Sequence, residues 1–414
     1  MKKATLVFIA LLACGINAQS QEISEKNIRQ TIGYLASDKL QGRATSSPGE
    51  RLAAEYIANL FKEYKLVPKG DSAGSYYFHF KCRYNPDKTD TVPDHATERN
   101  GTDVIGYLDN GAQYTIVIGA HLDHLGLGYD GNSLDPNPKG KIHPGADDNA
   151  SGVAGVLELA RYYSSQNKKG NYNFLFTCFS GEELGLFGSK KYCEKPTIDL
   201  SKVDLMINMD MIGRLNDSTK RLIVYGVGTA PGLVRLIDSV PSAFSIKKDS
   251  AGIGPSDQTS FYLKNIPVLF FFTGEHSDYH KPSDVAAKIN YPGEKQVLDY
   301  IIRVVAAINA EPKLVFTPTR NTEIGRKAAK YKVTMGVMPD YSFDGEGMKI
   351  DGVTDGKPAS KAGIKQGDIV IQMGDLKIKS MMDYMKALSA FKKDETTDVV
   401  LMRNGKKITV KVTF

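Results

Sequence analysis

Between Thr115 and Gly152 the chain reads TIVIGAHLDHLG, then a Gly- and Pro-rich stretch, then GADDNASG. His121 stands where the β-branched run Thr115–Ile118 gives out, at the tip of what reads as a buried strand. The spacing His-x-Asp has a use in metal chemistry. One imidazole nitrogen ligates a cation while a nearby carboxylate takes the other N–H and fixes the tautomer. Asp148 comes just before a helix that opens at Ala150-Ser151-Gly152. A carboxylate at a helix N-terminus is well placed to stay anionic and bind a cation.

Three more apolar runs end in the same kind of residue. Phe174–Phe179 leads into Ser180-Gly181-Glu182-Glu183, and Leu205–Met209 into Asp210. Ile266–Phe272 leads through Gly274-Glu275-His276 into Asp278-Tyr279-His280. Singly, a strand-end histidine is a structural or surface residue, and a Glu-Glu pair is solvated charge. Asp210, flanked by Met, Ile and Met, is costly to bury unless paired or metal-bound. Together His121, Asp148, Glu183, Asp210 and His280 offer two imidazoles and three carboxylates at one edge of one sheet, where open α/β sheets bind ligands. That set suits two zinc ions, each with one His and one terminal carboxylate, and one carboxylate bridging.

Positioning these tips requires alternating strands and helices. Ser24–Leu35 and Ser47–Leu60 read as helices, the second opening on an N-cap serine, Pro48 and a capping-box Glu50. Tyr76–Phe80 and Val104–Leu108 read as strands, separated by a polar excursion over Asn85–Asn100. Helices at about Val153–Gln166 and Glu294–Ala310 complete the βαβ alternation. The expected fold is a three-layer α/β/α sandwich around a central mixed, mostly parallel sheet. Past Ala310 the Pro-containing segment 311–330 reads as a linker, and 331–414 as a small β-rich domain.

A chain of 414 residues has room for about two domains. Its net charge of +6, from 53 basic and 47 acidic residues, is dispersed and excludes a nucleic-acid footprint. Residues 1–18 read as an export signal, with Lys2-Lys3 ahead of an apolar stretch, Ala4–Ala13, too short to span a membrane. Two endings stay open: cleavage after Ala18, which we favour, or a lipoprotein box with Cys14 acylated. Either way the mature protein is periplasmic or secreted. No transmembrane segment is expected. Cys82, Cys178 and Cys193 are too few for a disulfide framework; a Cys82–Cys193 bridge stays open.

The motifs HLDHLG, GADDNASG, SGEELGLFGS, NMDMIG and DYHKPSD, in this order between Ser24 and Ala310, resemble those of the two-zinc aminopeptidases of peptidase clan MH. That family includes secreted bacterial aminopeptidases, glutamate carboxypeptidase II and the transferrin receptor ectodomain. The stretches Tyr34–Asp38 and Gly42-Arg43 resemble its N-terminal region. The resemblance implies that His121 and Asp210 hold one zinc, Glu183 and His280 the other, and Asp148 bridges them, with a cis Asp148–Asn149 peptide. It makes Asp123 the partner behind His121, Glu182 the general base and Tyr279 the oxyanion donor, with an aromatic packed at a strand end as the plainer reading of Tyr279. Gln258 departs from the family, where many relatives carry His. His124, His143 and His276 fall near the site, as pocket or surface residues.

Residues 331–414 resemble a bacterial PDZ domain. Lys361–Val370 matches its AGI/L-x-x-GD-x-I/V signature, Met335-Gly336-Val337-Met338 sits at its carboxylate-binding loop, and a helix over Ser380–Phe391 would wall a groove for an extended peptide or a C-terminus. A spacer without ligand is the plainer reading. The expected function is a zinc-dependent aminopeptidase (residues 19–310) with peptide substrates and a PDZ module. The rivals are a glutaminyl cyclase, a carboxypeptidase or dipeptidase, and a binding protein on a peptidase scaffold.

Overall fold

The computed structural model describes residues 22–84, 97–166, 170–319, 333–339, 345–353, 356–379 and 381–414. The expected leader with Cys14, most of the 85–100 excursion and the second half of the expected linker lie outside them. Among the described residues no helix is long and apolar enough to cross a membrane. Cys82, Cys178 and Cys193 are free thiols, all buried.

The first unit runs α1 (Glu25–Leu35), α2 (Pro48–Glu63), β1 (Val67–Pro68), β2 (Tyr77–Tyr84), β3 (Thr97–Leu108), β4 (Tyr114–His121), α3 (Gly152–Ser164) and β5 (Tyr172–Phe179). It continues with α4 (Phe187–Glu194), β6 (Val203–Met209), β7 (Arg221–Tyr225), α5 (Leu233–Ser239), β8 (Ser245–Lys248), α6 (Gln258–Tyr262), β9 (Val268–Phe272) and α7 (Tyr291–Ile308). The sheet order is β1-β3-β5-β4-β6-β9-β7-β8, with β2 paired to β3. Its centre, β5-β4-β6-β9, is parallel; β3 joins β5 and β7 joins β9 antiparallel. The sheet is therefore mixed, as expected.

Strand alternation splits the core into two layers. Ile116, Ile118, Phe174 and Phe176 pack under α1, α2, α3 and α7, whereas Val117 and Leu175 face Tyr192 of α4 and Phe261 of α6. Both faces of the central strands are covered, which is why they read as unbroken apolar runs. Their carboxyl ends all emerge on one edge.

Ser24 caps α1 by accepting the Asn27 N–H, and Ser47 caps α2 by accepting the Glu50 N–H at 3.1 Å. The capping box does not close. Glu50 accepts instead from Ser46 N–H, Thr102 N–H and the Ser180 hydroxyl, tying α2 to β3 and to the end of β5. Residues 311–319, the start of the expected linker, lie along this unit. Leu314 N–H donates to Asp204 at 2.8 Å, and Thr319 N–H to the Tyr262 hydroxyl at 2.9 Å.

The second unit comprises β10 (Val337–Pro339), β11 (Met348–Val353), α8 (Pro358–Lys361), β12 (Ile369–Met373), β13 (Leu376–Lys377), α9 (Met381–Ala390), β14 (Thr396–Arg403) and β15 (Lys406–Thr413). Its antiparallel order is β10-β11-β12-β14-β15, closed over Ile350, Val370, Leu388, Val399 and Leu401. The glycine-rich signature has a physical reason. Gly363 and Gly367 take positive φ (75° and 87°), and buried Asp368 between them and β12 accepts Lys365 N–H and pairs with Arg403 at 2.6 Å.

Candidate metal centre

His121 ends β4, and its Nδ1–H donates to the Asp123 carbonyl at 3.1 Å, leaving Nε2 facing outward. The Asp123 carboxylate lies 3.8 Å from that ring and binds elsewhere, accepting the Thr45 hydroxyl at 2.8 Å and the Glu182 N–H at 3.2 Å. Asp123 thus orients two neighbours, one through its carbonyl and one through its carboxylate.

Asp148 lies in an irregular turn ahead of α3, and the Asp148–Asn149 bond is cis. Three side chains hold this turn. Asp284 accepts Asp147 N–H at 3.0 Å and Asp148 N–H at 3.1 Å. Asn149 donates to Met209 O and accepts Gly152 N–H. Arg43, fully buried, donates to the carbonyls of Leu35, Leu122, Pro144 and Gly145, and burial pulls its pKa down to about 10 despite nearby Asp148 and Asp123.

The five predicted side chains converge. His121 Nε2 lies 3.2 Å from Asp148 Oδ1 and 3.4 Å from Asp210 Oδ1. His280 Nε2 lies 3.2 Å from Asp148 Oδ2 and 3.1 Å from Glu183 Oε2. Each Asp148 oxygen therefore faces a different imidazole and a different second carboxylate. Glu182 approaches from the side, 3.9 Å from His121 Nε2. The His280 ring is fixed from behind, its Nδ1–H donating to Asn132 O at 2.7 Å, and Tyr279 stacks on it at 3.9 Å.

The charges explain one another. Burial would lower the pKa of both imidazoles, yet Asp210 and Glu182 hold His121, and Glu183 and Asp148 hold His280, well above the usual histidine range. Burial would raise Asp148, but His124, His121 and His280 keep it well below a normal carboxylate. Glu183 is likewise pulled down, to about 2, against burial and Asp148, by His280 and His124. Burial, with Glu183 and Asp210, pushes Glu182 well up despite His121. Imidazoles and carboxylates thus shift one another in opposite directions, an arrangement in which a divalent cation can take the place of the imidazole protons.

The donors fit such cations. His121, Asp148 and Asp210 have ligand atoms within 4.8 Å of one another, as do His124, Asp148 and Glu183. Asp148 Oδ2 and Asp210 Oδ1 are buried and accept no hydrogen bond. Imidazole nitrogen with carboxylate oxygen is a zinc donor set.

The remaining residues fall around this centre. His124 is in direct contact with Glu183, at 2.7 Å. His276 meets Asp147 at 3.1 Å, and His143 meets Ser133 at 2.7 Å. Gln258 is buried against Asn208 at 3.1 Å behind β6. Sequence reasoning missed Asp284, gave Glu50 only a capping-box role and gave Arg43 none. For Asp284 the signal was the DYHKPSD motif that contains it.

A mixed sheet between helical layers carries these imidazoles and carboxylates on its carboxyl edge. Residues 103–305 match Peptidase family M28, a metal-dependent family, and residues 321–414 match a PDZ domain. The chain therefore joins an aminopeptidase-like Peptidase family M28 domain to a PDZ domain, as the motifs implied. It is 25% identical over 294 residues to a probable leucine aminopeptidase of Trichophyton verrucosum, covering 68% of this chain and 70% of that one. It is 28% identical over 229 residues to leucine aminopeptidase 2 of Arthroderma otae, spanning 44% of that relative's length. The aminopeptidase from Aneurinibacillus sp. strain AM-1 shares the fold, with a TM-score of 0.54 at 19% identity over 73% of this chain and 98% of that one. So does the Porphyromonas gingivalis glutaminyl cyclase, with a TM-score of 0.54 at 17% identity over 69% and 98%.

Proposed function

We propose that the protein is a zinc-dependent aminopeptidase that removes N-terminal residues from peptides. The observation that carries this reading is the Asp148 carboxylate, with one oxygen toward His121 and Asp210 and the other toward His280 and Glu183. His121 and Asp210 would hold one zinc, His280 and Glu183 the other, and Asp148 both. When bound, the two ions acidify a water and polarise the scissile carbonyl. Glu182 accepts the proton of the attacking water on its carboxylate and delivers it to the leaving amine nitrogen. Asp123, bound to the Glu182 N–H, keeps that carboxylate over the centre. Tyr279, on the pocket wall, donates its O–H to the developing oxyanion.

The glutaminyl cyclase reading is favoured only by fold likeness. A one-zinc cyclase has no need of both complete trios. Incubating the protein with free and N-blocked peptides, with and without chelator, tests the proposal. The expected result is release of N-terminal residues from free peptides only, abolished by chelator. Cyclisation of N-terminal glutamine without hydrolysis would overturn it. The leader would export the protein to the periplasm or beyond, and the PDZ domain would bind peptide substrates or partners.

A further inference from the structure

His121, Asp148, Glu182, Asp210 and His280 line one part of a pocket whose remaining wall is largely Met211, Tyr225, Phe270, Phe272 and Tyr279. Alternation along β9 builds the wall: Leu269 and Phe271 point into the helix-covered core, while Phe270 and Phe272 form a separate aromatic cluster with Tyr225 and Met211. The Tyr225 and Phe270 rings stack at 5.3 Å, and Phe270 and Phe272 at 5.9 Å. Three residues past β9 the chain adds Glu275 to the same lining. Gly274 makes this approach at a φ of 105°, a conformation open to glycine.

Apolar walls with one carboxylate, Glu275, beyond the proposed metal ligands and base suit a long side chain whose methylene stem packs on rings and whose end carries positive charge. A leucine or phenylalanine side chain would use the walls but set apolar surface against a carboxylate, and an acidic side chain would be repelled. We propose that this pocket receives the side chain of the substrate's N-terminal residue and that Glu275 selects lysine or arginine there. The proposal rests on the aminopeptidase reading and adds its substrate class.

The test is a panel of Arg-, Lys-, Leu- and Glu-4-nitroanilides, cleaved by the zinc-loaded full chain, by Glu275→Gln and by Glu275→Lys. The wild type should favour Arg and Lys over Leu by about tenfold or more in kcat/KM and barely cleave the Glu substrate. A charge-assisted hydrogen bond is worth about one to two powers of ten, so Glu275→Gln should lower the Arg-to-Leu ratio by about 10- to 100-fold. Glu275→Lys should shift preference toward the Glu substrate, which a merely structural role would not do. A Glu275→Gln variant that loses Arg and Leu cleavage equally would place the carboxylate on the α-ammonium group common to all substrates and overturn the proposal. So would a wild-type ratio near one. Failure of the wild type to cleave any of the four would overturn the aminopeptidase reading along with it.

Discussion

His124 Nδ1 lies 2.7 Å from Glu183 Oε1, inside the same carboxylate whose other oxygen faces His280 at 3.1 Å. Glu183 is therefore gripped at both oxygens, and His124, fully buried, also stands 3.7 Å from Asp148 Oδ2. A donor behind a metal-binding carboxylate sets its orientation and is worth about 10- to 100-fold in metal affinity. His124→Ala should weaken zinc binding by about that factor. His280→Ala should weaken it further. Competition with a chromogenic chelator measures both, and equal losses would show that His124 itself binds metal.

Glu182 and Glu183 are neighbours in sequence, and the proposed function gives them opposite roles. Glu183 faces His280 and His124, whereas Glu182 stands 3.9 Å from His121 with its backbone held by Asp123. Glu182→Gln should keep close to two zinc ions per chain by elemental analysis while losing about two to four powers of ten in kcat. Glu183→Gln should lose metal first. Near-normal turnover in Glu182→Gln would rule out this base, and a clean count of one zinc in the wild type would favour the cyclase.

Behind the centre, Glu294 on α7 is fully buried, neither oxygen accepts a hydrogen bond, and burial with Asp147 and Glu158 pushes its pKa well above the usual range. Its protonated form is the one the fold accepts. The stabilisation is complete below the unfolded value near 4.5 and fades as pH rises through the folded one. Glu294→Gln, which mimics the protonated acid, should leave Tm nearly unchanged at pH 4 and raise it by a few degrees at pH 8. Equal shifts at both values, followed by calorimetry, would remove titration as the cause.

What the sequence disclosed follows from where each residue gets its partners. His121, Glu183, Asp210 and His280 were legible because each ends or follows a run buried on both faces. Arg43 was not, because all its partners are backbone carbonyls, invisible in side-chain pattern, and those of Leu122, Pro144 and Gly145 are about 80 to 100 residues away. β7, β8 and α5 went unread because they are five, four and seven residues long, and β8 is only half-buried at the sheet edge. The first half of β3, TERNGTD, looked like loop because it pairs only with β2 and stays largely exposed. Glu50 fitted a capping box, but partners on β3 and at the end of β5 claimed its carboxylate.

The PDZ domain offers the last test. Residues 311–319 are bound to the catalytic unit through Asp204 and the Tyr262 hydroxyl, so a chain cut after Arg320 keeps those contacts. None of the five proposed ligands lies beyond that point. The truncated chain should cleave short chromogenic aminoacyl substrates at nearly the full rate. Longer peptides should respond differently. β10 is an edge strand whose only partner among the described strands is β11, and Gly336 turns the chain into it at a φ of 69°. An extended segment or free C-terminus added along β10, which takes in Val337 and Met338 of the expected carboxylate-binding loop, would raise the local concentration of the peptide's other end at the catalytic edge. Binding remote from the chemistry stabilises ground and transition states alike, so the gain belongs in KM. Removing the domain should raise KM for long peptides and leave kcat little changed. Equal KM values in both chains would dismiss recruitment, and loss of activity on the short substrates would show that the domain completes the active-site wall.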